Sequence, residues 1–371
     1  MDHFVNPHLW GMYIAFALGF LTKGPVAVAL PALVLLAFLL LTRQFTWKKL
    51  GKLRLFQGIL LFLVIASPWY ILVSIKTDMA WTEGFFLKHN LTRYTDTMEG
   101  HGGIYFLTVI YLLLGMLPFS PLLIQSMIYA FKNRSNHIYY FLLLYIGVFT
   151  LFFSLSDTQL PNYIMPVFPA SAVLIAAFIA HAGKREYHRY KVGMALWMGL
   201  VISLLLPIGL YFGVQYDVNL QGMSYLAYYL IPLPLGFIFA ITRFYRARFR
   251  NAFIWLGSSF LLVNILLHAF MLPVVSQKSI AEEFVSSLNE HYELIGYKRM
   301  NPSFVFYYRK EIPMYHNLQD LEKKLNTMEK GYIISRKNYR KALLSSFPEL
   351  TVYKERKDLF EGHTTLILKK D

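Results

Sequence analysis

Long apolar segments dominate the first three quarters of the chain and are separated by short polar segments. Because a bilayer core of about 30 Å needs about 20 residues of helix, each apolar segment predicts a membrane-spanning helix. The pattern predicts nine spans, at about 9–22, 25–41, 55–75, 104–131, 138–156, 163–181, 192–214, 224–242 and 252–275. The chain then becomes mixed and charged. We therefore predict a transmembrane domain at 1–275 and a small second domain at 276–371.

The C-terminal segment alternates between helical and strand periodicities. The pattern predicts helices at 279–292 and 317–331, strands at 293–297, 303–310, 351–355 and 364–370, and a strand followed by a helix within 332–347. No run of the form GxGxxG or GxxxxGK[ST] occurs, so the sequence shows no nucleotide-binding loop. The predicted fold class is an all-α polytopic membrane bundle with a small C-terminal α/β domain.

Charge and composition bear on orientation and partners. Only 15% of the 371 residues are charged, whereas a soluble domain has about 25%. A net charge of +15 would suit a nucleic-acid partner. Most of the basic residues, however, follow the loops: only four lie in one set of alternate loops, whereas fifteen lie in the other set, at 42–54, 132–136, 182–191 and 243–250. The positive-inside rule therefore predicts a multi-pass protein of the cell membrane with a cytoplasmic N-terminus, an extracytoplasmic C-terminal domain and no nucleic-acid partner. Zero cysteines exclude disulfides.

The longest polar segment among the predicted spans is FFLKHNLTRYTDTMEGHGG, in the external loop 76–103. Lys88 and Arg93 could bind a phosphate, the lysine as a point charge and the arginine through a bidentate fork. His89, Glu99 and His101 could ligate a divalent metal, although their spacing matches no standard metal motif. The alternative is a solvated loop whose charges only keep it in water.

Two further polar segments interrupt the apolar pattern. Lys23 lies between the first two spans, beside a Gly24-Pro25 pair that ends a helix. Irregular backbone at membrane depth is tolerated only where protein or a wet cavity surrounds it. The alternative for Lys23 is a side chain that extends to the interface. The other segment, SLSDTQLPNYIMPVFPA, begins at an expected helix N-terminus, where Asp157 could be only the cap.

Segments in a fixed order carry a resemblance: GFLTKGPVA, SPWY, FFLKHNLTRYT with GHGGIYF, LLLGMLPFSPLL and FSLSDTQLPNYIMPVFPASAVL. The ordered set resembles the bacterial lipid-phosphate-sugar glycosyltransferases related to aminoarabinose transferase and to protein O-mannosyltransferases, which have the C-type glycosyltransferase fold. The resemblance begins at about residue 9 and extends into the C-terminal domain, where IGYKRMNPSFVFYY is similar to the family's external domain.

The resemblance implies transfer of a sugar from a polyprenyl-phosphate donor to an acceptor hydroxyl at the outer membrane face, usually with a divalent metal. Cleavage at the anomeric carbon builds negative charge on the leaving phosphate, which preorganised cations stabilise. The implied site residues are Lys23, Lys88 and Arg93 at the donor phosphate; His89, Glu99 and His101 at a metal; and Asn90, Tyr94, Gln159, Asn162 and Tyr163 in the substrate cavity. Gln159 stands where the family's KLPxY-type segment commonly has lysine.

One departure from the family concerns the general base. Family members carry an acidic pair in their first external loop, and no such loop precedes TKGP here. We therefore expect that this polypeptide alone lacks transferase activity. A truncated gene product, a late assigned start, or a subunit completed by a separate N-terminal fragment would each give this sequence.

Two other functions compete with sugar transfer: a transporter or flippase of lipid-linked sugars, and a non-catalytic membrane scaffold. A transporter is expected to carry charges within its spans, and few occur here. A scaffold has no reason to gather basic and metal-capable residues in its external loops.

Overall fold

The computed structural model describes residues 7–86, 106–182, 186–288, 292–359 and 362–371. The chain divides into two compact units, one ending at Gly199 and the other running from Leu200 to Asp371. The division falls within one long helix. The domain boundary predicted near residue 275 marks a change of chemistry inside the second unit, and it stays a prediction.

The first unit is helical in the residues described. Its helices are α1 (Pro7–Lys23), α2 (Val26–Leu41), α3 (Trp47–Lys52), α4 (Leu55–Lys76), α5 (Ala80–Glu83), α6 (Leu107–Gly115), α7 (Ser120–Lys132), α8 (His137–Ser154) and α9 (Val167–Ala182). A 3₁₀ helix, Pro161–Ile164, precedes α9. Helix α10 (Glu186–Tyr216) leads into the second unit.

The second unit contains further apolar helices and then a sheet. Its apolar part consists of the 3₁₀ helix Ser224–Leu230, α11 (Pro232–Tyr245), α12 (Phe249–Leu266), the π-helical Leu267–Met271 and α13 (Leu272–Ser276). The C-terminal part consists of α14 (Ile280–Ser286), β1 (Glu293–Tyr297), α15 (Ser303–Tyr308), β2 (Met314–Tyr315), α16 (Leu318–Thr327), β3 (Gly331–Arg336), the 3₁₀ helix Lys337–Tyr339, α17 (Arg340–Ser346), β4 (Thr351–Lys357) and β5 (Thr364–Lys370).

Several helices are long and apolar enough to cross a membrane. Among the described residues there are five: Leu55–Lys76, His137–Ser154, Arg189–Tyr216, Ser224–Tyr245 and Phe249–Ser276. Two shorter apolar helices are Val26–Leu41 and Val167–His181. The predicted class, a polytopic membrane bundle with a small α/β domain, is confirmed. The predicted number of nine spans stays a prediction.

The segment predicted as one span at 104–131 is broken. Helices α6 and α7 meet at an angle of 106°. Pro118 explains the break, because proline lacks a backbone N–H and disfavours helical backbone in the residue before it. The backbone N–H of Phe119 donates to the carbonyl of Met116 at 2.8 Å, so the turn makes its own hydrogen bond. A single unbroken helix was therefore wrong here.

Helices α1 and α4 approach closely through small residues. The buried residues of α4 are Gly58 and Ala66. The buried Tyr13 of α1 lies over Gly58, and its hydroxyl donates to the carbonyl of Leu53 at 2.9 Å. A Cβ at position 58 would lie 2.0 Å from Cζ of Tyr13. Small residues at helix contacts are typical of membrane bundles, where close packing replaces the hydrophobic driving force.

The C-terminal sheet has five strands in the order β2-β1-β3-β5-β4. Strand β1 pairs in parallel with β2 and β3, whereas β5 pairs antiparallel with both β3 and β4. The carboxyl ends of β1, β2, β3 and β4 therefore lie at the same edge of the sheet. The register shows this directly, since Arg336 of β3 and Arg356 of β4 both pair with Thr365 of β5.

Alternate residues of the strands face two hydrophobic cores. On one face, Ile295, Ile333 and Leu368 pack with Leu321 of α16 and Leu343 of α17. On the other face the packed residues are Ile280, Phe284, Leu294, Phe304, Tyr332, Ile334 and Ile367. The domain is therefore a sheet between two helical layers, with α16 and α17 on one side and α14 and α15 on the other.

The strand predicted at 303–310 is wrong, because Ser303–Tyr308 is helix α15. Phe304 is fully buried and Tyr307 and Tyr308 pack against the same core, which is helical spacing. Asn301 begins the turn, since its Oδ1 accepts from the N–H of Ser303 at 2.9 Å. The two-residue strand β2 was missed, whereas strands β1, β3, β4 and β5 were predicted correctly.

Polar contacts tie α14 to the sheet. The carboxylate of Glu283 contacts the amino group of Lys354 and lies 2.5 Å from Nη1 of Arg356. Arg356 also donates from Nη2 to the carbonyl of Lys278 at 2.9 Å. The hydrogen bond from Lys354, together with Arg356, lowers the pKa of Glu283 despite partial burial.

We predict that Gly58→Ala lowers the thermal stability of the detergent-solubilised protein. The added methyl would meet the ring of Tyr13, and overpacking costs about 1–3 kcal/mol. Gly147→Ala is the matched control, since nothing lies within 4 Å of a Cβ built there on helix α8. Unfolding midpoints should fall for the first variant only. An equal midpoint for Gly58→Ala and the unmodified protein would contradict this packing.

We also predict that Glu283 makes the C-terminal domain acid-sensitive. Because its folded pKa is lowered, its contribution is present above the unfolded glutamate pKa, about 4.3, and is lost as pH falls through the lower folded value. Glu283→Gln should destabilise the strand Thr351–Lys357 at neutral pH, by no more than about 1 kcal/mol given partial exposure.

The measurement is hydrogen exchange of that strand against pH, corrected for intrinsic rates. The difference between Glu283→Gln and the unmodified chain should shrink as pH falls below about 4. Glu349→Gln is the control, because that exposed carboxylate has no basic partner among the described residues. A pH-independent difference would contradict the assignment.

Candidate functional site

The TKGP segment forms the turn between α1 and α2. Gly24 has φ of 72°, the left-handed backbone that favours glycine, and its N–H donates to the carbonyl of Phe20 at 2.8 Å. Pro25 then precedes the first residue of α2. Lys23 is exposed in the last turn of α1, and it has no carboxylate partner among the described residues. The turn thus presents a cation beside the positive end of the α2 dipole.

Aromatic residues of the SPWY segment hold this turn. The hydroxyl of Tyr70 donates to the carbonyl of Phe20 at 2.9 Å, the same carbonyl that accepts from Gly24. The rings of Phe20 and Tyr70 lie edge to face with centroids 5.3 Å apart. Phe86 packs against both, at 6.1 Å from Phe20 and 5.5 Å from Tyr70. The start of the polar loop, at Phe86, is therefore anchored beside the end of α1.

A second anchor joins the segment before α9 to the start of α6. Gln159 is 3% exposed, and its Oε1 accepts from the hydroxyl of Thr108 at 3.2 Å. Its Nε2 lies 3.2 Å from the carbonyls of both Ser154 and Ser156. Gln159 uses its donors and its acceptor within the protein. The side chain therefore fixes the polar segment against the helix that follows the loop.

The predicted cavity residues around Gln159 differ in exposure. Asn162 is exposed, whereas Tyr163 is half-buried and packs against Phe153 with centroids 5.0 Å apart. Both lie in the 3₁₀ helix Pro161–Ile164, whose N-cap is Leu160. Asp157, the expected cap, therefore lies too early in the chain to cap this helix. The cavity role of Gln159, Asn162 and Tyr163 stays a prediction.

The predicted phosphate, metal and cavity residues of the polar loop all lie outside the described residues. These are Lys88, His89, Asn90, Arg93, Tyr94, Glu99 and His101, in the range 87–105. In the described parts of the chain, no three histidine or carboxylate side chains are grouped to hold a metal ion. The metal site therefore stays a prediction from the sequence.

The anchoring residues were not predicted from the sequence. Tyr70 lies in SPWY, a segment that contributed to the resemblance, but no role followed from the segment itself. Trp81 stacks on Phe85 with centroids 4.8 Å apart, and it extends the aromatic cluster toward the loop. Thr108 looked like an ordinary residue of an apolar span. Together these residues hold the backbone around Lys23 and beside both ends of the polar loop.

We predict that the Gln159 anchor is required for stability. Gln159→Leu would leave the Thr108 hydroxyl and two carbonyls without this partner, and a buried unsatisfied group costs about 1–3 kcal/mol. The thermal midpoint in detergent should fall. The exposed Asn162→Ala, three residues away, is the control and should leave the midpoint nearly unchanged. Equal midpoints for the two variants would exclude a structural role for Gln159.

Known structures share this fold. The chain superposes on the crystal structure of ArnT from Cupriavidus metallidurans in the apo state with a TM-score of 0.75. The TM-score is 0.71 for the structure of the same protein bound to undecaprenyl phosphate. In both cases 97% of this chain and 68% of ArnT are covered at 20% sequence identity. This likeness establishes the fold.

Sequence relatives point to the same group of proteins. An uncharacterized protein of Aquifex aeolicus is 30% identical over 215 residues, which are 58% of this chain and 46% of the relative. The undecaprenyl phosphate-alpha-4-amino-4-deoxy-L-arabinose arabinosyl transferase of Photorhabdus laumondii is 28% identical over 194 residues, 51% of this chain and 34% of that enzyme. A transferase of the same name from Proteus mirabilis is 31% identical over 183 residues, 47% of this chain and 32% of that enzyme.

The aligned region spans less than half the length of each of these relatives. No protein-family model matches the chain. The resemblance predicted from the sequence is nevertheless confirmed by both comparisons: the chain is a multi-pass membrane protein with the fold of ArnT, similar in sequence to aminoarabinose transferases.

Proposed function

We propose that this chain acts in the transfer of a sugar from a polyprenyl-phosphate donor to an acceptor hydroxyl at the membrane surface. The observation that carries the proposal is the ArnT fold over 97% of the chain. Relatives of this chain are named as transferases that use an undecaprenyl-phosphate sugar, and one solved ArnT structure holds undecaprenyl phosphate. Lys23, which is exposed and has no carboxylate partner in the described part of the chain, gives the chain a group suited to the donor phosphate.

The chemistry requires a stabilised leaving phosphate. The bond from the anomeric carbon to the phosphate oxygen breaks, a bond to the acceptor oxygen forms, and the hydroxyl proton passes to a base. Charge on the phosphate grows in the transition state, so a cation fixed beside it lowers the barrier more than it strengthens ground-state binding. Tyr70 and Gly24 support this role, because they hold the backbone that carries Lys23.

The other predicted roles enter as proposals from the sequence. Lys88 and Arg93 would add positive charge at the same phosphate, and His89, with Glu99 and His101, would hold a divalent metal. We propose no general base. A cytoplasmic N-terminus and an extracytoplasmic C-terminal domain are supported by the excess of basic residues in alternate loops.

The transferase and the flippase differ in the fate of the sugar. A transferase moves an isotope-labelled sugar onto an acceptor and releases free polyprenyl phosphate, whereas a flippase leaves the label on the lipid. A scaffold binds no donor lipid with measurable affinity. Binding of the donor lipid is measured first, because the proposed contact between Lys23 and the phosphate is the same whichever group activates the acceptor.

We predict that Lys23→Gln weakens binding of undecaprenyl phosphate to the purified chain by about tenfold, since a charge-assisted hydrogen bond contributes about 1.5–3 kcal/mol. Titration of the detergent-solubilised protein, followed by intrinsic fluorescence, measures the dissociation constant. Lys132→Gln is the matched control, because Lys132 is also exposed in the last turn of an apolar helix.

Undecaprenol, which lacks the phosphate, should bind the unmodified chain and Lys23→Gln equally. A tenfold loss for both lipids would show that Lys23 supports the fold instead of the phosphate. Unchanged binding of undecaprenyl phosphate to Lys23→Gln would remove this residue from the donor site.

A further inference from the structure

One edge of the C-terminal sheet carries a row of basic residues. Lys298 and Arg299 follow β1, Arg336 ends β3 and Lys357 ends β4. These four residues are called the basic edge. Because Gly296 pairs with Ile334, and Arg336 pairs through Thr365 with Arg356, they lie at similar heights on the sheet. With about 4.8 Å between strands, the row extends over roughly 14 Å.

The basic edge has no acidic partners in the described part of the chain. Lys298, Arg299 and Lys357 are exposed, Arg336 is half-buried, and none of them forms a salt bridge there. The nearby carboxylates are engaged elsewhere. Glu355 lies 2.7 Å from Lys337 and 2.9 Å from Arg340. Positions 360 and 361 lie outside the described residues.

Two further described carboxylates lie near this edge. Asp320, in the first turn of α16 after β2, accepts from Nδ2 of Asn317 at 2.7 Å and lies 3.8 Å from Nζ of Lys323. Asp358 is buried. It is 3% exposed, and its Oδ1 accepts from the hydroxyl of Thr365 at 2.6 Å. It therefore offers little negative charge to the surface. Among the described residues, the four cations of the basic edge therefore have no salt-bridge partner.

The opposite edge of the sheet differs. There Lys324 lies 2.6 Å from Glu293, and Lys369 contacts Asp371. Residues 277–371 contain 17 Lys and Arg against 13 Asp and Glu, a net charge of +4. Lys310 and Lys330, which precede β2 and β3, are also exposed without a salt bridge among the described residues. The basic edge differs from them in gathering four cations in one row.

The basic edge is the side of the sheet that meets the apolar helices of the same unit. Leu359, two residues after Lys357, packs on a cluster formed by Val214, Leu220, Met223, Leu226 and Val275. Asn219 donates from Nδ2 to the carbonyl of Lys357 at 3.1 Å. The end of α10 and the end of the last apolar segment thus lie beside this edge, where a bilayer surface would be.

We propose that the basic edge binds the phosphate groups of anionic lipids in the adjacent leaflet. Arginine binds phosphate through a bidentate fork, and lysine binds it as a point charge. Basic residues next to a membrane attract anionic lipids, and the attraction fades within a Debye length of about 8–10 Å. The placement beside the span ends therefore favours a lipid over a soluble polyanion. The inference does not depend on sugar transfer.

The positive-inside rule does not account for the basic edge. The Arg-rich loop 243–250 joins α11 to α12, so it lies at the other ends of the helices that meet the sheet domain. Charges that orient the chain are expected in that loop, on the opposite face. The edge needs a separate explanation, and contact with lipid phosphate supplies one.

The test uses the full chain in lipid nanodiscs. Because the chain has no cysteine, Asn338→Cys gives a single fluorophore site beside the basic edge, and Asn326→Cys gives one in the last turn of α16, away from it. Quenching by headgroup-nitroxide phosphatidylglycerol is compared with quenching by phosphatidylcholine carrying the same label. We expect about threefold stronger quenching by the anionic lipid at position 338, lost at about 0.5 M salt, and no preference at position 326.

Substitution then tests the named residues. Lys298→Gln/Arg299→Gln/Arg336→Gln should abolish the preference at position 338, whereas Lys310→Gln/Lys323→Gln/Lys330→Gln, which removes the same charge elsewhere, should keep it. Circular dichroism and the thermal midpoint check that each variant folds. Equal quenching by the two lipids at position 338, with the basic edge unmodified, would overturn the proposal. A preference for the anionic lipid that survives the first triple substitution would also overturn it. If that variant does not fold, the salt titration decides.

Discussion

Backbone N–H and C=O groups that enter a bilayer must be hydrogen-bonded within the protein, and this constraint decides where the helices of this chain can break. At the first break the N–H of Gly24 returns to Phe20, and the hydroxyl of Tyr70 reaches the same carbonyl. At the break before α7 the N–H of Phe119 bonds to Met116. Both of these breaks therefore have hydrogen bonds within a few residues, which makes them fixed features of the structure.

The side chain of Gln159 shows how one residue can supply such partners. An amide both donates and accepts, so Gln159 can bond the carbonyls of Ser154 and Ser156 and also receive the hydroxyl of Thr108. The lysine that is commoner here in the resembling family has donors only and could not accept from Thr108. This chain gains an anchor and loses a cation at this position.

Local pattern was enough to predict most elements but few of the contacts that position them. Apolar length predicted the five described helices that are long enough to cross a membrane, and strand periodicity predicted β1, β3, β4 and β5, because each signal lies within consecutive residues. The break at Pro118 was missed because its neighbours are apolar on both sides. Helix α15 was mistaken for a strand because Phe304 through Tyr308 are aromatic or β-branched, and burial against the core overrode that preference.

Contacts between distant residues were beyond this kind of reasoning. Thr108 and Gln159 are 51 residues apart, and Glu283 meets Arg356 across 73 residues. Of the predicted site, only Lys23, Gln159, Asn162 and Tyr163 fall within the described residues. The sequence located Lys23 in a turn, but it gave no reason to expect that Tyr70 and Phe20 would hold that turn.

Net charge illustrates what folding adds to composition. The net charge of +15 includes basic residues in the loops between apolar helices and in the sheet domain, and the total does not distinguish these two places. Fifteen basic residues lie in alternate loops between apolar helices, where they accord with an orienting role. The remainder includes the sheet domain, whose strands run so that four cations without a salt bridge among the described residues meet at the edge beside the apolar helices, while Glu293 and Asp371 lie at the other edge. The strand topology thus gathers cations that are distant in sequence into one row beside the apolar helices.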